Sequence, residues 1–450
     1  MQLNPNRSLA GLTLFVVVLF LHPATAFAQG NAPMELTLSQ AIDLALKQNR
    51  SLKLAELAVV ESEQKKKIAR ADYFPQIKNE STAFRITELQ QLVIPEASLG
   101  AGIPPKTAVI FQGGLTGYTS GTGLQQPLTQ MFKIHEDNRA ATADINSARI
   151  HVNQAENEIT LKVRELYYGI LIAQLKETAA KNETDAAQLK LQESASSVEQ
   201  GNALETVALE SHAALLDAKQ TMLVQNLQVR DLTLELNYLL GLPLNTQLKL
   251  SEELSAASAA ISSREECVRI ARDQSPEIRA ALQAVEKAKA SLAATKDAYI
   301  PDVTAFARYS YQSGIPFLVH NFGTFGVIFT YELFDGGRRN AQIDESRTVL
   351  SQAEVNLAKT KEEVTVQVEI AYDKVEQMQN LIAVAEEVLK TREAAALIAD
   401  RQFEQNAALA SARAEAAAKT SSARASLLEA NLGLSLAQGE LKRAMGEIPR

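Results

Sequence analysis

The second half of this chain repeats the first, and no other feature restricts its fold as much. Thr37-Leu38-Ser39-Gln40 opens one copy and Ser263-Arg264-Glu265-Glu266 opens the other, 226 positions on. Gln48 matches Gln274, and Tyr73-Phe74-Pro75 matches Tyr299-Ile300-Pro301, in the same register. Farther along the offset becomes 205: Val163 to Tyr167 matches Val368 to Tyr372, Glu199-Gln200 matches Glu404-Gln405, and Gly241 matches Gly446. One unit has been duplicated, and the first copy carries a longer insertion in its middle. Two such units are expected to pack side by side about a pseudo-symmetric axis. The boundaries read as a first repeat over 29–241, a link over 242–262 and a second repeat over 263–450.

Composition makes the repeat an elongated body. Trp is absent and aromatics make up only 5% of 450 residues, while Ala, Leu, Glu, Lys, Gln and Ser dominate. This profile suits long helices better than one large compact core. A formal net charge of −8 leaves no basic face for nucleic acid. Arg7, the apolar run Leu9 to Leu21, and Ala26-Phe27-Ala28 have the layout of a signal peptide over 1–28. That run is short for a spanning helix, and no later one is long enough. Cys267 is the only cysteine, so it has no internal disulfide partner. An exported chain of this kind is either free outside the cytoplasm or crosses a membrane as β-strands.

Thr37 to Asp72 is expected as a helix, opened by a Thr37–Gln40 capping box and stopped by Pro75. Ser263 to Asp297 repeats the design with Ser263, Glu266 and Pro301. Past Pro301 the period becomes two. Val303, Ala305, Ala307, Tyr309 and Tyr311 alternate with Thr304, Phe306, Arg308, Ser310 and Gln312. Phe325, Val327, Phe329, Tyr331 and Leu333 form a second apolar face. Strands are therefore expected at about 302–312 and 322–334, with the apolar-out, polar-in pattern of a membrane β-strand. A soluble hairpin also alternates, but export and the tyrosine-rich apolar face favour the membrane. The first copy should place its strands at about 76–88 and 108–126, where alternation is weaker and Gly113, Gly114, Gly117, Gly121 and Gly123 fall. These glycines suit a tilted, curved strand. They make no phosphate loop, since no lysine or helix opening follows. Residues from about Leu89 to Thr107, with Pro95, Pro104 and Pro105, read as a long external loop.

Two very long helices follow the strand pairs. Ile145, Ala148, Val152, Ala155, Ile159 and Val163 recur at three- and four-residue spacings, as do Leu350, Ala353, Leu357, Val364, Val368 and Ala371. These are coiled-coil seams. A second stripe, Ile370, Leu381, Val384 and Val388, gives the later helix two neighbours, as in a closed ring. Breaks at Gln200-Gly201-Asn202 and Gln405-Asn406 use residues that accept a left-handed turn. Each long helix is thus one arm of a hairpin with a narrow tip.

With these marks in place the chain resembles the outer membrane efflux protein family, the TolC-like channels, over nearly all of its length after residue 28. The matching marks are Leu36-Thr37-Leu38 with Ala41, Ala45 and Asn49, the Tyr-x-Pro pair, Gln126-Pro127-Leu128, and Leu333-Phe334-Asp335-Gly336-Gly337-Arg338-Arg339. The resemblance implies a mainly α protomer with transmembrane β, contributing four strands to a trimeric twelve-stranded barrel and long helices to a periplasmic α-barrel. A shared barrel answers a physical need, because four strands alone would leave open edges in lipid. It also implies a homotrimer in outer membrane lipid, partnered by a periplasmic adaptor (a membrane fusion protein) and an inner-membrane transporter of RND, ABC or MFS type. Tip residues in this family close the entrance and meet the adaptor. Here they correspond to Gln200, Gly201, Asn202, Ala203 and Leu204, and to Gln405, Asn406, Ala407, Ala408 and Leu409. Family members often place acidic residues just beyond the second tip. Ala412 stands at the nearer such position and Glu415 at the next, while Glu205 follows the first tip. Rings of Glu205 or Glu415 would favour cations. The second tip shows neither the usual glycine nor a nearby arginine, so a family-like ion-pair lock is not expected there.

No catalytic constellation, cofactor motif or metal-ligand spacing stands out. His135, His151, His212 and His320 are scattered, and Glu61, Glu63 and Lys65-Lys66-Lys67 read as a solvated helix face. The expected function is an exit duct of a tripartite efflux or type I secretion system, and not an enzyme. A periplasmic coiled-coil adaptor or scaffold is the rival reading. Adaptors carry one hairpin between β-rich halves, whereas this chain repeats hairpin and strands together.

Overall fold

The computed structural model describes residues 33–89, 91–111, 113–251, 262–314 and 319–447. The expected signal peptide, and residues 252–261 of the link, lie outside the described residues. In chain order the elements are β1 (Met34–Leu36), α1 (Leu38–Gln48), α2 (Arg50–Ala71), β2 (Gln76–Arg85), β3 (Gln91–Ile94), β4 (Ala108–Phe111), β5 (Thr116–Pro127), α3 (Met131–Glu199) and α4 (Glu205–Leu240). The second copy follows with β6 (Leu248–Leu250), α5 (Arg264–Gln274), α6 (Pro276–Lys296), a 3-10 turn at Asp297–Tyr299, β7 (Asp302–Ser313), β8 (Asn321–Thr330), α7 (Arg338–Glu404) and α8 (Ala410–Ala444).

The helix expected from Thr37 to Asp72 is two helices, broken at Asn49. Its backbone is extended there, and its side chain accepts from the Ser51 and Leu52 amides, so it caps a new helix. The duplicate breaks at the matching Ser275, whose hydroxyl accepts from the Ile278 amide. Pro276 stands at the first position of α6, and a residue before proline is pushed out of the helical region. Met445 and Gly446 at the end of α8 lie against this second break, as Gly241 lies against the first.

The two cores are built on the same positions. Val163 and Val368 are both fully buried, as are Ala45 and Ala271, and Leu236 corresponds to Leu441. Around them Ala41, Ile159 and Leu240 in one copy answer Cys267, Val364 and Met445 in the other. The first core also holds Tyr167, whose hydroxyl donates to the carbonyls of Leu36 and Ser251 and so ties the α3 midpoint to the ends of the β1–β6 pair. The second core has instead an arginine hub. Arg264 contacts Glu369, Asp373 and Glu376 at 2.9, 2.6 and 3.1 Å and lies over the Tyr372 ring.

The helical hairpins pack in the order α4–α3–α8–α7. α3 has 69 residues and α7 has 67, which at 1.5 Å per residue is roughly 100 Å each. None of the described helices is apolar enough to cross a membrane. The strands form one four-stranded antiparallel sheet, β2–β5–β7–β8, with both outer edges unpaired in the protomer.

The stretch expected as one strand over 108–126 is divided. Its first part, β4, pairs with β3 in a separate two-stranded hairpin, so the insertion expected as loop from Leu89 to Thr107 contains a strand. Only Thr116–Pro127 joins the main sheet, and β2 ends at Arg85. Gly114 donates to the Gly314 carbonyl at the base of the hairpin, where the chain turns out of the sheet.

A candidate gate at the helical tips

Both tips are built alike. After α3 the Gly201 amide donates to Val198 and the Asn202 amide to Ser197. After α7 the Asn406 amide donates to Phe403 and the Ala407 amide to Gln402. Each is a Schellman turn, which satisfies the orphan carbonyls of a helix end and needs one left-handed residue. Gly201 fills that place at φ +72°. Asn406 fills it at φ +55°, which explains why the second tip needs no glycine. Ala203 and Ala408 follow, and Leu204 and Leu409 stand at the N-cap positions of the returning helices, neither offering a side-chain cap. Leucine is a poor N-cap, yet both leucines are strongly exposed, at 74% and 63%.

The two tips lie side by side. The Glu193 carboxylate, near the end of α3, accepts from the Ser411 amide at 2.9 Å and from its hydroxyl. It therefore caps α8 in place of Leu409. The same α3–α8 seam carries Asn182 to Ser421 at 2.9 Å and Lys176 to Glu429 at 2.8 Å. The position matching Glu193 in the second copy is Ile398, so this cap is not duplicated.

An arginine lock that was not expected is present at the second tip. Arg413 pairs with Asp400 at 2.7 Å across the hairpin and lies over the Phe403 ring. The lock spans 13 residues of sequence, so its two partners stand about one helical turn to either side of the tip and neither belongs to the turn itself. The first copy has Ala208 and Ala195 at the matching places.

Glu205 and Glu415 are both exposed, the first in the opening turn of α4 and the second on α8. Glu415 is not a bare carboxylate. A hydrogen bond from Lys419 at 2.6 Å holds its pKa below the ordinary glutamate value, with Lys190 adding to the effect and partial burial opposing it. It lines a groove of about 640 Å³ between α3, α4 and α8, together with Lys176, Glu183, Lys190, Asp217 and Lys419. Glu415 thus stands among lysines of its own protomer. Among the described residues no group of His, Cys, Asp and Glu could hold a metal ion.

The sequence matches the family described as outer membrane efflux protein over residues 41–242 and 267–447. No curated relative matches it. Among solved structures it is similar to the CmeC outer membrane channel of Campylobacter jejuni, with 16% identity over 91% of this chain and 85% of that one and a TM-score of 0.74. The outer membrane protein VceC of Vibrio cholerae is 16% identical over 92% of this chain and 97% of that one, with a TM-score of 0.70. The open state of the MtrE outer membrane channel of Neisseria gonorrhoeae is 17% identical over 92% of this chain and 89% of that one, with a TM-score of 0.68. At these identities the likeness to solved structures speaks for the fold.

Proposed function

Because the chain belongs to the outer membrane efflux protein family, it is an outer membrane efflux channel reaching into the periplasm and not an enzyme, and we propose that it works as a homotrimeric, gated exit duct. The observation that carries this is the four-stranded sheet with two free edges, continuous with two long hairpins. Free edges cannot stay in lipid. Three copies, each joining β8 to the β2 of the next, close twelve strands without an edge. The exposed stripes Leu209, Leu216 and Leu223 on α4 and Ile370, Leu381 and Val388 on α7 then meet between protomers and close the helical tube.

Such a duct holds no energy source of its own. An inner-membrane transporter supplies it and a periplasmic adaptor joins the two, with small molecules or polypeptides as cargo. The exposed Leu204 and Leu409, set at the two tips, suit docking by the adaptor. Opening is a parting of the tip helices, opposed by the Glu193–Ser411 cap and the Arg413–Asp400 pair. The signal peptide over 1–28 delivers the chain to the periplasm.

Unheated gel electrophoresis of the outer membrane fraction tests the assembly. A band near three times the protomer mass supports the trimer, and a monomer in the soluble periplasm restores the scaffold reading. Isoleucine in place of Gly201, where φ is +72°, should cut efflux while trimers persist, and unchanged efflux counts against the tip as gate.

A further inference from the structure

We propose that Arg308, flanked by Lys78, forms with its symmetry copies a cationic belt around the barrel bore, at which the duct favours anionic solutes. The inference rests on the trimeric duct above. Strand register assigns each side chain to one of two faces. Ile77, Leu124, Val303, Ala305, Ala307, Phe325, Val327 and Phe329 share one face, which suits lipid. The opposite face, toward the bore, carries Lys78, Glu80, Asp302 and Arg308. Arg85 is the one charged strand residue on the lipid side, at the very end of β2.

Lys78, Gly123 and Arg308 are register partners across β2, β5 and β7, so the two cations share one level. Glu80 and Gly121 form the next row. The Arg308 side chain lies flat over Gly121: a β-carbon there would sit 2.5 Å from Nη2 and 2.6 Å from Nε. Phe84 over Gly117 and Phe306 over Gly326 repeat the device on the same face. Glycines in the wall thus give long side chains a floor, which keeps the bore wide while presenting their charge to it. Among the described residues no carboxylate pairs with Arg308 or Lys78. Two cations face one anion at this level in each protomer, so the closed belt is net positive. Rings of arginine and lysine favour anions in pores.

Purified trimers in a planar bilayer under a potassium chloride gradient test this. R308Q should move the reversal potential toward the cation-selective side, and K78Q should move it less in the same direction. Inorganic triphosphate added from the barrel side should reduce wild-type current, and R308Q should lose that block. A reversal potential unchanged by R308Q, or triphosphate without effect on the wild type, overturns the belt while leaving the duct intact. Trimers that conduct nothing even when E193A and R413A release the tips overturn the duct as well. G121A should still fold, because the atoms it meets are the free end of a flexible side chain. It should lower conductance by lifting Arg308 into the bore, and unchanged conductance overturns the flat posture.

Discussion

A β-carbon at position 446 would land 2.6 Å from the Gln274 carbonyl oxygen, in a residue whose φ is +83°. Gly241, its counterpart, has more room: a β-carbon there would meet the Gln48 β-carbon at 3.1 Å and its carbonyl oxygen only at 3.5 Å. A non-glycine residue in the left-handed region costs about 1–3 kcal/mol, and at 446 the obstacle is backbone, which cannot swing away. Gly446→Ala should therefore lower the urea midpoint of the detergent-solubilised chain, and by more than Gly241→Ala. Asp335, between β8 and α7, accepts from the Gly337 amide and from the Arg339 amide and Nε, while Arg339 lies over the Tyr299 and Tyr331 rings. The Arg339 hydrogen bond chiefly holds the Asp335 pKa at about 2. A depressed carboxylate stabilises the fold above its ordinary pKa of about 4 and loses that contribution as pH falls through about 2. The heat stability of the wild type should exceed that of Asp335→Asn near neutral pH, and the gap should narrow toward about pH 2. A gap that does not change with pH would argue against the charge.

At the level of elements, the sequence showed the long hairpins clearly, since their apolar positions recur at regular spacings over dozens of residues. Their fastenings were not legible. Glu193 and Ser411 are 218 residues apart, and nothing in the chain says which glutamate will sit against the end of α8. The breaks within the first helix of each copy could have been read: Ser275-Pro276 is a helix boundary by its chemistry, and the duplication carries it to Asn49. The β3–β4 hairpin was hidden because its proline-rich turn looks like loop. Weak alternation in β2 and β5 also has a cause. Asn79, Ser81, Ser120 and Thr122 share the face of Ile77 and Leu124 and hydrogen-bond one another, so they need not be apolar. Replacing Glu193 with Ala should cost about 1 kcal/mol, the usual worth of an N-cap, and should speed amide exchange at Ser411. The exposed Arg413–Asp400 pair should show a coupling of about 0.2–1 kcal/mol in a double-mutant cycle.

For the whole molecule, face assignment decides what assembly tolerates. Val327, on the lipid face of edge strand β8, is 62% exposed in the protomer. A lysine there should cost about 2–4 kcal/mol near the membrane midplane and reduce the yield of trimers on unheated gels. A lysine at Thr324, three residues earlier on the bore face, should leave the yield unchanged. Equal losses at both positions would reverse the assignment of inside and outside. The duplication also has a practical consequence. The two copies share a skeleton but not their fastenings: among the described residues the arginine hub, the tyrosine tie, the Glu193 cap and the Arg413 lock each occur in one copy alone. A substitution that breaks one of these contacts leaves the other half untouched, so either hairpin can be loosened alone while the other serves as its internal control.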